Sequence, residues 1–441
     1  MNKSVSLLIC IWLCSFCALQ AKTYFVATNG SAGNSGTKDS PFASIMQAQK
    51  VVEPGDTVYI RGGKYIFTEE HISRKQKINA IVHHLNKSGT PDKRINYWAF
   101  PGERPVFDFS NVKPENLRVM AFNVTGSWIH LKGFEVTGVQ VTILGHTQSE
   151  SFHNEGSHNI YENLAMHDSQ AIGFYLTQGS DNLILNCDAY NNWDFTSEGG
   201  RGGNADGFGC HPQPGGKGNI FRGCRAWFNS DDGYDCIRAA ETVTFDHCWA
   251  FYNGFKQDFS ALGDGNGFKA GGWGLRKDER VPDSIQGHKV MFCLAVGNRA
   301  NGFYSNHHPA GSYWLNNSAY RNGTNFNMLN RDTSFTKDVP GYGHILLNNL
   351  SFAPVNYETQ HIDYEKCALT SNSFQLKPTL TEKDFISLDE KLLIAPRNPD
   401  GSLPDNGFLK PTKKSPVIDK GVKTTFTFKG KAPDLGAFEV K

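Results

Sequence analysis

"ENLAMHD" (162–168), "NCDAYNN" (186–192), "GCRAWFN" (223–229), "HCWAFYN" (247–253), "FCLAVGN" (292–298) and "NNSAYRN" (316–322) are six versions of one segment. With Asn163, Cys187, Cys224, Cys248, Cys293 and Asn317 taken as equivalent, the steps between them are 24, 37, 24, 45 and 24 residues. One basic length recurs, and two steps carry insertions. Five residues after each anchor stands a short amide or acid: Asp168, Asn192, Asn229, Asn253, Asn298 and Asn322. Such a column predicts a ladder in which each side chain bonds the backbone of the next repeat. A second register follows the first, with "IGF" at 172, "DGF" at 206, "DGY" at 232 and "NGF" at 266 and 301. Short β-rich segments of fixed period cannot bury an apolar face alone, so they must stack. The expected fold is all-β, a right-handed parallel β-helix with coils about 4.8 Å apart.

The rest of the chain suits that architecture. "TYFVATNGSAGNSG" with the segment after it predicts a first strand, a glycine turn and a short amphipathic helix from Phe42 to about Val52 that caps the open core. From about Asp363 the period fades, and residues 363–441 are expected to run back along the helix, within one domain spanning 22–441. The cysteine column is read as core filling. Cys224 beside Cys248, and Cys210 beside Cys236, would be near enough for disulfides, but Ala270 and Ser305 share those columns and favour plain thiols.

Residues 1–21, with Lys3, the run "LLICIWLCSFCAL" and a small-residue site ending at Ala21, read as a cleavable export signal. The protein is expected to be secreted or periplasmic and monomeric, without a membrane span; a lipid anchor at Cys17 is the lesser alternative. The chain has 44 Lys and Arg against 43 Asp and Glu, and removing Lys3 leaves 43 against 43. A neutral balance argues against a nucleic-acid partner. Affinity for a polyanion would then need local charge or a metal.

Equal offsets from the turn glycines Gly207, Gly233, Gly267 and Gly302 place residues side by side on successive coils. Before the glycine stand Asp206, Asp232, Asn266 and Asn301; two after it stand Gly209, Asp235, Lys269 and Tyr304. Phe208, Tyr234, Phe268 and Phe303 alternate inward, so Asp235 and Lys269 point outward as neighbours. Asp206, Asp231, Asp232 and Asp235 thus converge, a hard-oxygen set that suits calcium; a solvated turn is the bland alternative. For Lys269 the bland alternative is a surface salt bridge. Long insertions, roughly 193–205, 254–265 and 271–287, flank the cluster, as loops around a binding site do.

The motifs "NADGFG" (204), "NSDDGYDC" (229) and "DGNGFKAGG" (264) resemble those of polysaccharide lyase family 9, which includes pectate lyases. The resemblance implies calcium held by Asp206, Asp231, Asp232 and Asp235, with Lys269 as Brønsted base, acting on an acidic pectic polysaccharide by β-elimination. Arg238 and His308, or the adjacent His307, are expected to meet substrate carboxylates or hydroxyls, a structural role being the alternative for each histidine. Trp273 and Arg276 are placed near sugar rings. Two rivals stay open: a glycoside hydrolase on the same fold that uses paired aspartates, and a non-catalytic polysaccharide-binding protein whose acids hold a structural ion. Homogalacturonan and rhamnogalacturonan I are equally compatible with the residues.

Overall fold

The computed structural model describes residues 20–276 and 279–440, so the expected signal lies, except for its last two residues, outside the described residues. Three long sheets of 12, 10 and 11 strands wind around a common core among the described residues, each strand pairing with its counterpart on the next coil. The pairing is parallel along all three, apart from a hairpin at the start of the third sheet, where Arg74–Gln76 lies antiparallel to Asn79–Leu85. This is the expected parallel β-helix. The capping helix spans Ile45–Val51, opened by Ser44 and Gln47 in a reciprocal capping box, and buries Ile45, Ala48 and Gln49.

The core of the third sheet is an aromatic pile. Phe208, Tyr234, Phe268, Phe303 and Phe326 follow one another with ring centroids 5.0, 4.7, 5.2 and 5.0 Å apart and planes within 20° of parallel. All five are fully buried. Burying each ring is worth about 1.5–3 kcal/mol, and offset pairs add roughly 0.5–1.5. A one-residue slip would turn these rings out to solvent, so the pile fixes the register of what faces outward.

Beside it runs the amide ladder. Asn192, Asn229, Asn253, Asn298 and Asn322 each donate from Nδ2 to the next Oδ1, the last reaching Asn325, at 2.9–3.0 Å. They also donate to carbonyls such as Ala189 and Ala226. Asp168 is not part of it. Ala165 pairs with Asp188 and Met166 with Ala189, so the first coil is 23 residues long rather than 24. Leu164, 2 % exposed, therefore takes the core place assigned to Asn163, and Ser169 meets Asn192 at the foot of the ladder. Asp168 turns outward beside His167. Seven cysteines, Cys187, Cys210, Cys224, Cys236, Cys248, Cys293 and Cys367, are free and buried, as plain core filling requires.

The C-terminal stretch lies along the second sheet, where Phe385, Leu393, Phe408, Val417 and Leu435 pack on Trp249, Phe251, Leu294 and Val296. Arg225 and Arg397 join the two layers through one carboxylate, Asp188, at 2.8 and 2.6 Å. None of the described helices is long and apolar enough to cross a membrane.

Candidate active site

Four neighbouring strands of the third sheet, Phe208–Cys210, Tyr234–Asp235, Phe268–Lys269 and Asn301–Tyr304, set the outward row Gly209, Asp235, Lys269, Tyr304. This is the row expected from the glycine offsets. The row before it holds Asp206, Asp232, Asn266 and Asn301, linked through side chains: Asp206 Oδ1 accepts from the Asp232 backbone N–H at 3.1 Å, and Asp232 Oδ1 from the Asn266 amide at 2.8 Å.

Each of the four aspartates is held the same way. Oδ1 of Asp206, Asp231, Asp232 and Asp235 accepts from the backbone N–H of Asp232, Asp264, Asn266 and Ile237 respectively, at 2.7–3.1 Å. One oxygen is thereby fixed and the other left for a ligand. Lys269 Nζ stands 2.9 Å from Asp232 Oδ2, 3.3 Å from Asp235 Oδ2 and 3.8 Å from Asp264 Oδ2. The closest of these is a contact without hydrogen-bond alignment, because Asp232 Oδ2 accepts no hydrogen bond. Candidate ligand oxygens fall into two sets that share Asp232: Asp206, Asp232 and Asp235 in one, Asp231, Asp232 and Asp264 in the other, each within 4.8 Å. Asp231 therefore groups with Asp232 and Asp264 in the second set, and Asp264 joins the cluster from the second insertion.

All five central residues are buried, from Asp232 at 0 % exposure to Lys269 at 9 %. Burial and then neighbouring acids push the carboxyls of Asp206 and Asp231 well above the usual range. Burial does the same to Asp232, Lys269 only partly opposing it, and takes it to about 6. Burial alone would lower the lysine, but Asp232, Asp235, Asp231 and Asp206 outweigh it and hold the ammonium well above its ordinary value. Too many carboxylates for one ammonium is a site short of positive charge.

The insertions close around this centre. Ser230, next to Asp231, donates from Oγ to the Gly202 carbonyl of the first loop, and its backbone carbonyl accepts from the Gly263 N–H of the second. Lys256 stacks over Trp193, 3.9 Å from the ring centroid, tying the same two loops. The third insertion borders a cleft of 890 Å³ lined by Lys217, Glu241, Trp273, Arg280 and Asp283, beside the acids rather than over them.

Two expected substrate contacts are placed differently. His308 is fully buried, its Nε2 3.0 Å from the Gln286 carbonyl and its ring under Gly271, where a Cβ would come within 2.4 Å. Burial lowers its pKa to about 4, so it is a neutral packing residue that no polymer reaches. Arg238 is partly exposed, but its guanidinium is paired with Glu279. Trp273 is also buried, with its indole N–H on the Ala239 carbonyl. Asp264 was legible in "GDGNGF", but nothing in its spacing separated it from an ordinary turn acid.

A family model described as the Pel9A-like right handed beta helix region matches residues 24–344. Pectate lyase L of Dickeya chrysanthemi is 35 % identical over 433 residues, covering 95 % of this chain and 90 % of that protein. A solved structure titled rhamnogalacturonan lyase superposes with a TM-score of 0.86 at 45 % identity, covering 89 % of this chain and 97 % of that one. The crystal structure of pectate lyase Pel9A gives 0.78 at 33 % identity, covering 96 % and 98 %. With the family region matched over most of its coils and likeness of this depth running nearly end to end, the chain belongs to the Pel9A-like β-helix family and is a polysaccharide lyase of family 9.

Proposed function

We infer that this lyase is exported, depends on calcium and cleaves a galacturonate-containing pectic backbone by β-elimination, with Lys269 as the base. The observation that carries this reading is the lateral pairing of Lys269 with Asp235 beside a buried, undercompensated group of acids. Export rests on the hydrophobic leader. The higher identity to the rhamnogalacturonan lyase than to Pel9A, 45 % against 33 %, favours rhamnogalacturonan over homogalacturonan as the polymer.

The residues present fit a calcium ion. Asp206, Asp232 and Asp235 offer converging hard oxygens, Asp231 adds another through the shared Asp232, and the buried Asp232 Oδ2, which accepts no aligned hydrogen bond even with Lys269 Nζ 2.9 Å away, is an oxygen a cation would satisfy. When bound, the ion supplies positive charge that acidifies the proton beside a substrate carboxylate and offsets the anionic field now keeping Lys269 protonated. Lys269 Nζ, as neutral amine, takes the C5 proton of the uronate. The C5–H electrons form the C4–C5 double bond and the C4–O bond breaks. The backbone N–H groups on each Oδ1 keep the acids aimed without rearrangement, which is what preorganised electrostatic stabilisation requires.

Assaying the purified protein on both polymers tests this. A lyase makes an unsaturated uronide that absorbs in the ultraviolet, a hydrolase only new reducing ends, and a binding protein neither. Excess chelator should abolish turnover and added calcium restore it; full turnover in chelator would remove the metal from the reading.

A further inference from the structure

On the coil after Lys269, three side chains form a chain of hydrogen bonds that the reaction as described leaves unused. Tyr304, the lateral partner of Lys269 in the outward row, has its hydroxyl 3.1 Å from His307 Nε2. His307 Nδ1 lies 2.7 Å from Asp338 Oδ1. Asp338 is carried by a small antiparallel hairpin, Asn330–Arg331 with Asp338–Val339, that stands outside the three sheets, and Arg331 meets the same carboxylate at 2.7 Å. The hairpin falls in the step from Asn317 to Asn349, which is 32 residues instead of 24. A solenoid coil needs no such excursion, and this one braces a histidine behind a tyrosine next to the base.

We propose that Tyr304 is the general acid of the elimination, giving its phenolic proton to the departing glycosidic oxygen, with His307 and Asp338 as positioning residues behind it. It rests on the reading of Lys269 as base. As the C4–O bond breaks, its electron pair stays on the oxygen of the leaving sugar, and the Tyr304 Oη–H proton moves to that oxygen. His307, its Nδ1 against Asp338 and its Nε2 against the phenol, relays a proton from solvent to the tyrosine oxygen. Solvent then takes up the proton held by Lys269, so the protons balance without any further reactant. Placement supports the role: Tyr304 and Lys269 sit on adjacent strands, about 4.8 Å apart, so the two can reach neighbouring atoms of one bound chain. Tyr304 and His307 are only partly buried, as a group that touches the polymer must be. Burial, more than Lys269 can offset, holds the phenol above its ordinary range, so it keeps its proton until a basic oxygen develops beside it.

The test compares two substrates: the polymer, and a synthetic uronide carrying nitrophenolate at C4, a leaving group that departs without protonation. Tyr304→Phe and His307→Gln should each lower kcat on the polymer by about 10² or more, with KM little changed, yet keep most of the wild-type rate on the activated uronide. Asp338→Asn should show the same split with a smaller loss. Equal losses on both substrates would make Tyr304 a sugar-stacking platform, and wild-type rates on the polymer would leave it no role; either result overturns the proposal. Lys269→Ala, run alongside, should lose roughly 10² to 10⁴ in rate on both substrates alike, which separates a failure of the base from a failure of the acid.

Discussion

Two acidic sites in this molecule, one a single carboxylate and the other a cluster, are built on opposite principles. Asp188 lies under the C-terminal stretch with two guanidinium groups on one carboxylate, and Arg397 with Arg225 overcomes the burial penalty and holds it below the usual carboxylate range. At the acid cluster, Asp206, Asp231, Asp232 and Asp235 crowd around one lysine, and burial with mutual repulsion pushes Asp206, Asp231 and Asp232 upward. The first arrangement is complete and serves as a staple. The second is incomplete, and the missing charge is what a cation and an acidic substrate would bring.

The sharpest way to break that contrast is at Lys269. Lys269→Ala should lower turnover by roughly 10² to 10⁴ while circular dichroism and calcium binding stay near wild type. Lys269→Arg should fail nearly as badly, because guanidinium keeps its proton; near wild-type elimination by the arginine variant would instead make Lys269 a carboxylate anchor. Next comes the staple. Asp188→Asn strands two arginines and should cost about 3 kcal/mol in a denaturant titration with activity otherwise intact; a neutral result would mean the C-terminal stretch is held by its apolar face alone.

Charge removal at the cluster should act in the reverse sense. Asp232 keeps its proton up to about pH 6 when folded, against an ordinary 3.8. Between those values the folded state holds more protons than the unfolded one, so this contribution is full below pH 3.8 and is lost as pH rises through 6. Asp188, lowered, contributes stability above its ordinary value that fades as pH falls through its folded one. In calcium-free protein at pH 7, Asp232→Asn should therefore raise stability, by at most about 3 kcal/mol, while weakening calcium binding measured by calorimetry. A variant that lost stability in chelator would show that Asp232 is satisfied without a metal. The smallest effect belongs to Asp168→Ala: outside the ladder and 57 % exposed, it gives up an ion pair with His167 and puts alanine at a left-handed backbone position, so it should cost about 1 kcal/mol and leave calcium affinity unchanged.

Repetition made most of the fold readable. A glycine turn at one offset in each coil, followed by residues alternating in and out, dictated that Phe208, Tyr234, Phe268 and Phe303 pile inside and that Asp235 lies beside Lys269, since parallel stacking sets each residue between its counterparts on the coils before and after. Where the repeat was ambiguous the reading slipped. At 163 and 168 an asparagine and an aspartate imitate the anchors, and only the burial of Leu164 shows that the coil is one residue shorter.

The sequence by itself determined the coil period, the register of the outward row and hence the meeting of Lys269 with the aspartates, because all of these follow from local alternation and a fixed step. The tertiary structure alone decided what the insertions do with the residues they carry: that Asp264 comes in against Asp231, that Arg238 spends its charge on Glu279, that His308 turns into the packing under Gly271, and that a hairpin brings Asp338 behind His307. Insertions break the period, and beyond that break a side chain's neighbours depend on the path of the loop through space, which no spacing along the chain encodes.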